Sequence, residues 1–425
     1  MNFKRVAAVL NTLILRGLGS GIAVLFTVMV SRHLPTDSAA RFFLLFNIST
    51  IAAVCFRWGL DEVIIRRVAK LSAEEIPKTA QHLAALSHRR VALWVVICLL
   101  LLSVVVWHPT FQNTLVAIDT LSLINAIFAA AFVALSACIA RILQGSGRTN
   151  LATFLLNIVV PGLSLLGLLV LISSKKADAR DLILLYTCVS AVVYLFTTIS
   201  FYGNPLGLLL MAYKLKWEGV DSSAANKLGV VVLAQQVLGW AALLIVPYSY
   251  GDEAYKGFVV VQKLATLISL AMLAVNFTFS RRFASLYAAG DLQQLRRIVR
   301  YSLLTIMIAS IGGALFLVLT RQWLFAYAEV SNNMTTMLLI LLISQLFFSI
   351  SALFSIVLSM AHDDNFLFIT QAAINGVGSL VFITASHFFS LEAVSVSLVC
   401  SYALLSFVLG VRVYSLFIIP QDEQK

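Results

Sequence analysis

Arginine is rare in the middle of a long apolar run, and this sequence has one there. Arg16 lies about ten residues into a run that starts near residue 6, or roughly 15 Å along a helix at about 1.5 Å per residue. A guanidinium at that depth in a bilayer costs roughly 2.5 to 3.5 kcal/mol on the lenient insertion scale, so it faces a wet cavity or a helix that satisfies it. Helical spacing puts Arg16 on one stripe with Thr12, Ser20, Ala23, Thr27 and Ser31, all small or polar, which suits a cavity wall. A structural arginine held by neighbouring carbonyls is the competing reading. Lys263, beside Gln262, stands in another apolar run, close enough to its end for the ammonium to snorkel to the interface. Arg57 precedes Asp61 by one helical turn, so a local ion pair explains it as well as a ligand does. The uncharged amides Asn47, Gln235, Gln236, Asn157, Asn276, Gln345, Gln371 and Asn375 also fall inside apolar runs. Each serves as interhelical glue or as cavity lining, and the adjacent pair Gln235-Gln236 stands out.

The acids are informative by position. All 19 Asp and Glu fall in connections, tails or span ends, whereas a carrier of organic cations or a carboxylate proton relay wants a buried acid. The interior field is therefore positive. It suits an anion, and the diphosphate of a lipid-linked sugar is a natural candidate, because a guanidinium holds phosphate bidentately. The candidate binding residues are Arg16, Asn47, Arg57, Gln235, Gln236 and Lys263, with no catalytic residue, no metal and no cofactor expected. His362-Asp363-Asp364 could hold a metal on paper, but acids capping a helix are the plainer reading.

These residues need membrane helices to position them. The chain has 425 residues, 60% hydrophobic and 12% charged, with a mean hydropathy of +0.96, against roughly 45 to 50% apolar and 25% charged in a soluble domain. Apolar runs of spanning length recur throughout. Twelve helices are expected, at about 6–31, 39–60, 91–107, 118–140, 151–173, 182–202, 229–248, 257–279, 301–319, 336–359, 366–386 and 393–412. The first reads as an uncleaved span, too long for a signal peptide and interrupted by Arg16. Most of the 30 Lys and Arg lie on the side of the termini, which places both termini in the cytoplasm, with Lys175, Lys176 and Arg180 as a local exception outside. The net charge of +11 thus sets topology, and a nucleic-acid partner is excluded. The five cysteines, all inside apolar runs, read as small buried hydrophobes.

A shift of 215 residues lays Arg41 on Lys256, Phe43 on Phe258, Arg66-Arg67 on Arg281-Arg282 and Leu71 on Leu286. Two six-helix lobes in parallel repeat follow, 1–215 and 216–425. Each half has a helix start after its basic pair, Ser72 with Glu75 or a start at Pro77, and Asp291 with Gln294. The segment 281–300 is amphipathic and basic, either a lipid-facing surface helix or a solvated connection. No connection is long enough for a folded domain, and neither a phosphate-binding G-x-x-x-x-G-K-[ST] loop nor an H-E-x-x-H helix occurs. An enzyme is not expected, and a carrier would draw on an ion gradient or its substrate's own.

The opening run to Ser31-Arg32-His33-Leu34-Pro35, the stretch Phe56-Arg57-Trp58-Gly59-Leu60-Asp61 with Arg66 and Arg67 following, and the run from Gly257 through Ala288-Ala289-Gly290-Asp291 resemble the polysaccharide-exporter branch of the multidrug/oligosaccharidyl-lipid/polysaccharide (MOP) exporter superfamily, the Wzx-type flippases of O-antigen and capsule repeat units. Ala40 and Arg41 stand where the family usually has glycine. The resemblance implies two six-helix lobes around a central cavity, its walls the first, second, seventh and eighth spans, which carry Arg16, Asn47, Gln235, Gln236 and Lys263. It implies a flippase that moves an undecaprenyl-diphosphate-linked oligosaccharide across the bacterial inner membrane by alternating access. Its partners are then the lipid-linked oligosaccharide, the bilayer and, downstream, the polysaccharide polymerase and chain-length machinery. A cation-coupled multidrug or small-solute exporter of the same fold is the alternative; the missing membrane acid speaks against it.

Overall fold

The computed structural model describes residues 3–68, 71, 74–107, 119–174, 178–204, 207–208, 210–211, 222–361 and 363–416. Among them all regular structure is helical: α1 (Phe3–His33), α2 (Thr36–Arg57), α3 (Leu60–Val68), α4 (Ile76–Trp107), α5 (Thr120–Gly145), α6 (Thr149–Phe154), α7 (Val160–Ser173), α8 (Ala179–Tyr202), α9 (Ser222–Thr266), α10 (Leu270–Ala288), α11 (Leu292–Ala328), α12 (Thr335–Met360), α13 (Asp364–Ala385) and α14 (Leu391–Leu416). The all-α polytopic class expected from composition is what the chain adopts. Contacts divide it into two compact units, Ile14–Leu233 and a second formed by Met1–Leu13 with Ala234–Lys425.

Eleven stretches among the described residues are long and apolar enough to cross a bilayer. The count differs from twelve because the expected seventh and eighth spans lie in one stretch, Gly229–Leu273, of 45 residues. A straight helix of that length would run about 67 Å, twice the roughly 30 Å of a hydrocarbon core. Gly251 interrupts it with φ 79° and ψ 177°, a backbone region almost reserved for glycine. Two other boundaries move. The third span starts not at 91 but at Ile76, with Pro77 in its first turn, where a missing N–H costs nothing. The basic segment 281–300 is not one surface helix: α10 ends at Ala288, Gly290 turns the chain at φ 71°, and α11 begins at Leu292 under an Asp291 side chain that accepts from the Gln294 backbone N–H at 3.0 Å. That cap was legible in the sequence; Ser72 lies outside the described residues.

In the N-terminal unit α5 is central, packing against α2, α3, α4 and α8. Its buried face is small, with Ala126, Ala129, Ala130, Ala134, Ala137 and Ala140 all enclosed. Lipid is as apolar as a side chain, so helices associate here by close backbone approach rather than by hydrophobic exclusion. Polar groups are closed off locally. His88 is bonded through Nδ1 to the Ala84 carbonyl and through Nε2 to the Tyr194 hydroxyl, each at 2.6 Å, and Asp178 caps α8 through the Ala179 N–H at 2.7 Å. The Ser38 hydroxyl donates to Asp178 at 2.6 Å and is the main reason that carboxyl is held below the usual carboxylate range. Between α6 and α7 the chain widens into a π turn, Leu155–Val159, just before Pro161 removes a donor. Gly19 of α1 packs there, where a Cβ would overlap the Asn157 carbonyl.

The C-terminal unit is organised around α12, which contacts α10, α11, α13 and α14. Its hydroxyls are again turned inward: Ser349 donates to the Gln345 carbonyl, Ser355 to Ser351 and, on α13, Ser379 to Asn375, at 2.6 to 2.8 Å. Of the cysteines only Cys138 is buried; Cys188 and Cys400 are exposed on helix surfaces, and all are free thiols. The expectation of five buried residues is corrected accordingly: an apolar run has a lipid face as well as a core face, and composition does not separate the two.

Open space surrounds the Cβ position of Gly251, so Gly251→Ala should act through backbone conformation alone, at a cost on the order of 1–3 kcal/mol, read as a lowered melting temperature of purified protein in detergent. Gly19→Leu meets backbone rather than space, and should cut the yield of monodisperse protein several-fold on size exclusion.

Candidate substrate-binding sites

The break after α2 brings the N-terminal unit's charges together. Trp58 takes a left-handed conformation, φ 40° and ψ 55°, its N–H closing on the Val54 carbonyl at 3.2 Å, and Gly59 follows at φ 75°. The reversal is held by packing: the Trp58 and Trp94 rings lie 5.9 Å apart, and a Cβ on Gly229 would come within 2.9 Å of the Trp58 indole. Arg57 ends α2 and Asp61 opens α3, so the turn sets them 3.9 Å apart, while Arg57 Nε donates to the Ala53 carbonyl at 3.1 Å.

A third residue joins from α5. Arg141 stands 3.8 Å from the same Asp61 oxygen and donates to Gln144 Oε1 at 2.8 Å. Its Nε is buried without a hydrogen-bond partner. Two guanidiniums thus share one carboxylate and leave an excess of one positive charge, and Arg16 is near enough for its charge to repel that of Arg141. The side chains of Arg57, Asp61 and Arg141 are only 17%, 16% and 23% exposed. Both ion-pair separations exceed the 2.7–3.2 Å of a hydrogen bond. The guanidinium forks are thus held near Asp61 by charge without being saturated by it. Such a constellation can bind an anion with several oxygens, phosphate above all.

The other candidates separate from this cluster. Asn47 is buried, 3% exposed, ten positions earlier on α2, hence about 15 Å away along the axis. The stripe expected to carry Arg16 along a cavity wall is enclosed at its far end: Thr27 and Ser31 are buried, and Thr27 bonds back to the Ala23 carbonyl at 2.9 Å. Thr12's side chain lies outside the described residues.

Gln235, Gln236 and Lys263 belong to the C-terminal unit. Gln235 and Gln236 line a cavity of about 230 Å³ together with Met272 and Leu273 of α10, Phe348 and Ser355 of α12, Gln371 and Asn375 of α13 and Tyr402 of α14. Lys263, half-buried, is not among its lining residues. The cavity is ringed by amides, hydroxyls and aromatic rings, and none of its lining residues is charged. Gln371 and Asn375 are 2% and 0% exposed; both read from the sequence as interhelical glue, and both are at once glue and lining. Asp363, from the metal candidate that includes the undescribed His362, pairs with Arg412 at 2.7 Å. Among the described residues no group of three or more His, Cys, Asp or Glu could hold a metal.

Arg141 is not legible in the sequence: the apolar run predicts a fourth span ending at 140, with Arg141 in the connection after it, whereas α5 runs on to Gly145. Ser351, Ser355 and Tyr402 are not legible either, because a hydroxyl in an apolar run gives no sign of what it faces. The spacing of Ser351 with Ser355 and of Gln371 with Asn375, one helical turn each, was the available signal.

No protein-family model and no curated protein matches the sequence. Solved structures do match. The inward-facing conformation of a multidrug resistance MATE family transporter of the MOP superfamily aligns over 94% of this chain and 94% of its own, with a TM-score of 0.72 at 15% identity. A MOP superfamily transporter from Pyrococcus furiosus, whose binding pocket of reverse polarity suggests a different function, aligns over 96% and 95%, with a TM-score of 0.69 at 14% identity. The MATE multidrug transporter DinF-BH aligns over 97% and 95%, with a TM-score of 0.64 at 14% identity. At these identities the likeness is one of fold: the chain has the MOP-superfamily transporter fold.

Asp61→Asn leaves Arg57 and Arg141 without their shared carboxylate and should destabilise the protein by about 1–2 kcal/mol, less than the 3–5 kcal/mol of a fully buried pair because these groups keep some water. Added pyrophosphate should restore the melting temperature of that variant, and should fail to do so once Arg57→Ala is combined with it.

Proposed function

We propose that this protein is a flippase for a polyprenyl-diphosphate-linked oligosaccharide, working by alternating access in the bacterial inner membrane with both termini cytoplasmic. One observation carries the reading: Arg57 and Arg141 share the carboxylate of Asp61, and the charge of Arg16 acts on Arg141 from nearby. A diphosphate carries the charge and the oxygens that such a site lacks. An organic cation would meet net repulsion there. The amide-lined cavity of the C-terminal unit adds hydrogen-bonding capacity without charge, which suits sugars.

In this reading Arg57 and Arg141 engage the diphosphate, Asp61 orients their forks in the empty state, and the polyprenyl tail stays in lipid. Asn47 and Lys263 are placed in the path of the headgroup by the family resemblance. The protein breaks and makes no covalent bond, needs no cofactor, and hands its cargo to a polysaccharide polymerase and its chain-length machinery. The cation-coupled multidrug exporter remains the second reading, favoured by the multidrug transporters among the structural neighbours.

In cells with the upstream glycosyltransferases intact, Arg57→Ala and Arg16→Ala should each lower surface polysaccharide roughly tenfold or more, the scale of one lost charge-assisted contact, at normal protein levels. Polyprenyl-diphosphate oligosaccharide should accumulate in the cytoplasmic leaflet, identified by the mass spectrum of a lipid extract. Intact polymer with export of cationic dyes lost would replace the flippase with the exporter.

A further inference from the structure

We infer that the cavity of the C-terminal unit is a binding pocket for one neutral sugar ring, held by Gln371 and Asn375 from α13 and faced by Phe348 and Tyr402. Hydrogen-bond polarity fixes what the pocket asks of its ligand. Asn375 Nδ2 donates to the Ala234 carbonyl at 2.8 Å, so the amide oxygen is the group left over. Ser355 Oγ gives its proton to the Ser351 carbonyl at 2.8 Å and therefore can only accept from Gln371 Nε2, which it does at 3.0 Å. Gln371 is thereby oriented too, again with its oxygen outstanding. Both oxygens, Gln371 Oε1 and Asn375 Oδ1, are buried without a hydrogen-bond partner, on side chains that line the cavity. Two buried acceptors left unmade are costly, and a ligand that fits must bring donors.

Charge and size then choose among donors. No charged side chain lines the cavity, so an ionised ligand would enter without a counter-charge. An apolar one would leave the amides unsatisfied. At about 230 Å³ the space equals roughly seven or eight waters at about 30 Å³ each, far more than a bare metal ion fills and less than the roughly 300–1,000 Å³ of drug sites. A single pyranose is of that order, and its hydroxyls supply the missing donors. The Phe348 and Tyr402 rings, 5.3 Å apart and edge to face, give an apolar surface for the C–H face of the ring. Gln235 and Gln236 on α9 complete the wall with groups that both donate and accept.

The inference deepens the flippase reading and takes the origin of the sugar from it. The test is saturation-transfer NMR on the purified full-length protein in detergent, with a panel of methyl glycosides of hexoses, N-acetylhexosamines and 6-deoxyhexoses. At least one glycoside should bind, with affinity reduced roughly tenfold by Gln371→Leu, the scale of one lost hydrogen bond to a buried acceptor. Gln236→Leu, at an exposed position on the wall, keeps the test open if Gln371→Leu fails to fold. No glycoside bound by the wild type, or binding indifferent to both cavity variants, overturns the inference; so does a sodium-dependent rise in melting temperature, independent of sugar, that Gln371→Leu abolishes, since it assigns the two oxygens to a cation. Bare undecaprenyl diphosphate, titrated in parallel, judges the flippase reading separately: its failure to bind sinks that reading while the glycoside signal alone decides the pocket.

Discussion

A guanidinium withdrawn from water must be met by opposite charge or by acceptors, and for Arg57 and Arg141 the opposite charge is the one carboxylate of Asp61. The geometry around it follows from the demand. The left-handed Trp58 and positive-φ Gly59 reverse the chain so that Arg57 and Asp61 meet across the break, and α5 extends to Gly145, far enough to deliver Arg141 to the same carboxylate. A tryptophan at φ 40° is a strained choice. It persists because Trp94 and the closely packed Gly229 over-determine its position. The fold thus maintains a local backbone cost to keep one acid shared between two bases.

The two units handle polarity differently. In the first, charges are concentrated and under-compensated, with ion pairs just beyond hydrogen-bond length. In the second, the cavity wall is neutral, and polarity is arranged as directional hydrogen bonds whose donors are engaged and whose acceptors are left over. Charge attracts at a distance with little regard for orientation, whereas oriented neutral groups discriminate shape at contact. A headgroup made of a charged linker and uncharged rings presents both kinds of chemistry.

The sequence revealed the class, the approximate positions of the spans and the cap at Asp291, because these depend on composition and on short-range pattern. It revealed Gln235 and Gln236 as a pair, and they line a cavity. It did not reveal Arg141, since a helix end in an apolar run moves by a turn without leaving a mark, nor the enclosure of Thr27 and Ser31, since a small polar stripe fits a packed interface as well as a wet wall. The glue-or-lining choice at Gln371 and Asn375 was beyond sequence for a further reason: each amide does both, its nitrogen bonding within the unit and its side chain lining the cavity.

The glycine interruption in the 45-residue stretch bears on how the chain enters a membrane. An insertion machine reading Gly229–Leu273 meets two apolar arms with only a short polar break between them. The only charged residues are Asp252, Glu253 and Lys256, crowded just after Gly251, and Lys263 further on. The information that makes two crossings out of one apolar segment is therefore compressed into a handful of positions around Gly251. Orientation of everything downstream is inherited from that break, so the topology of the second half hangs on a feature with almost no length of its own.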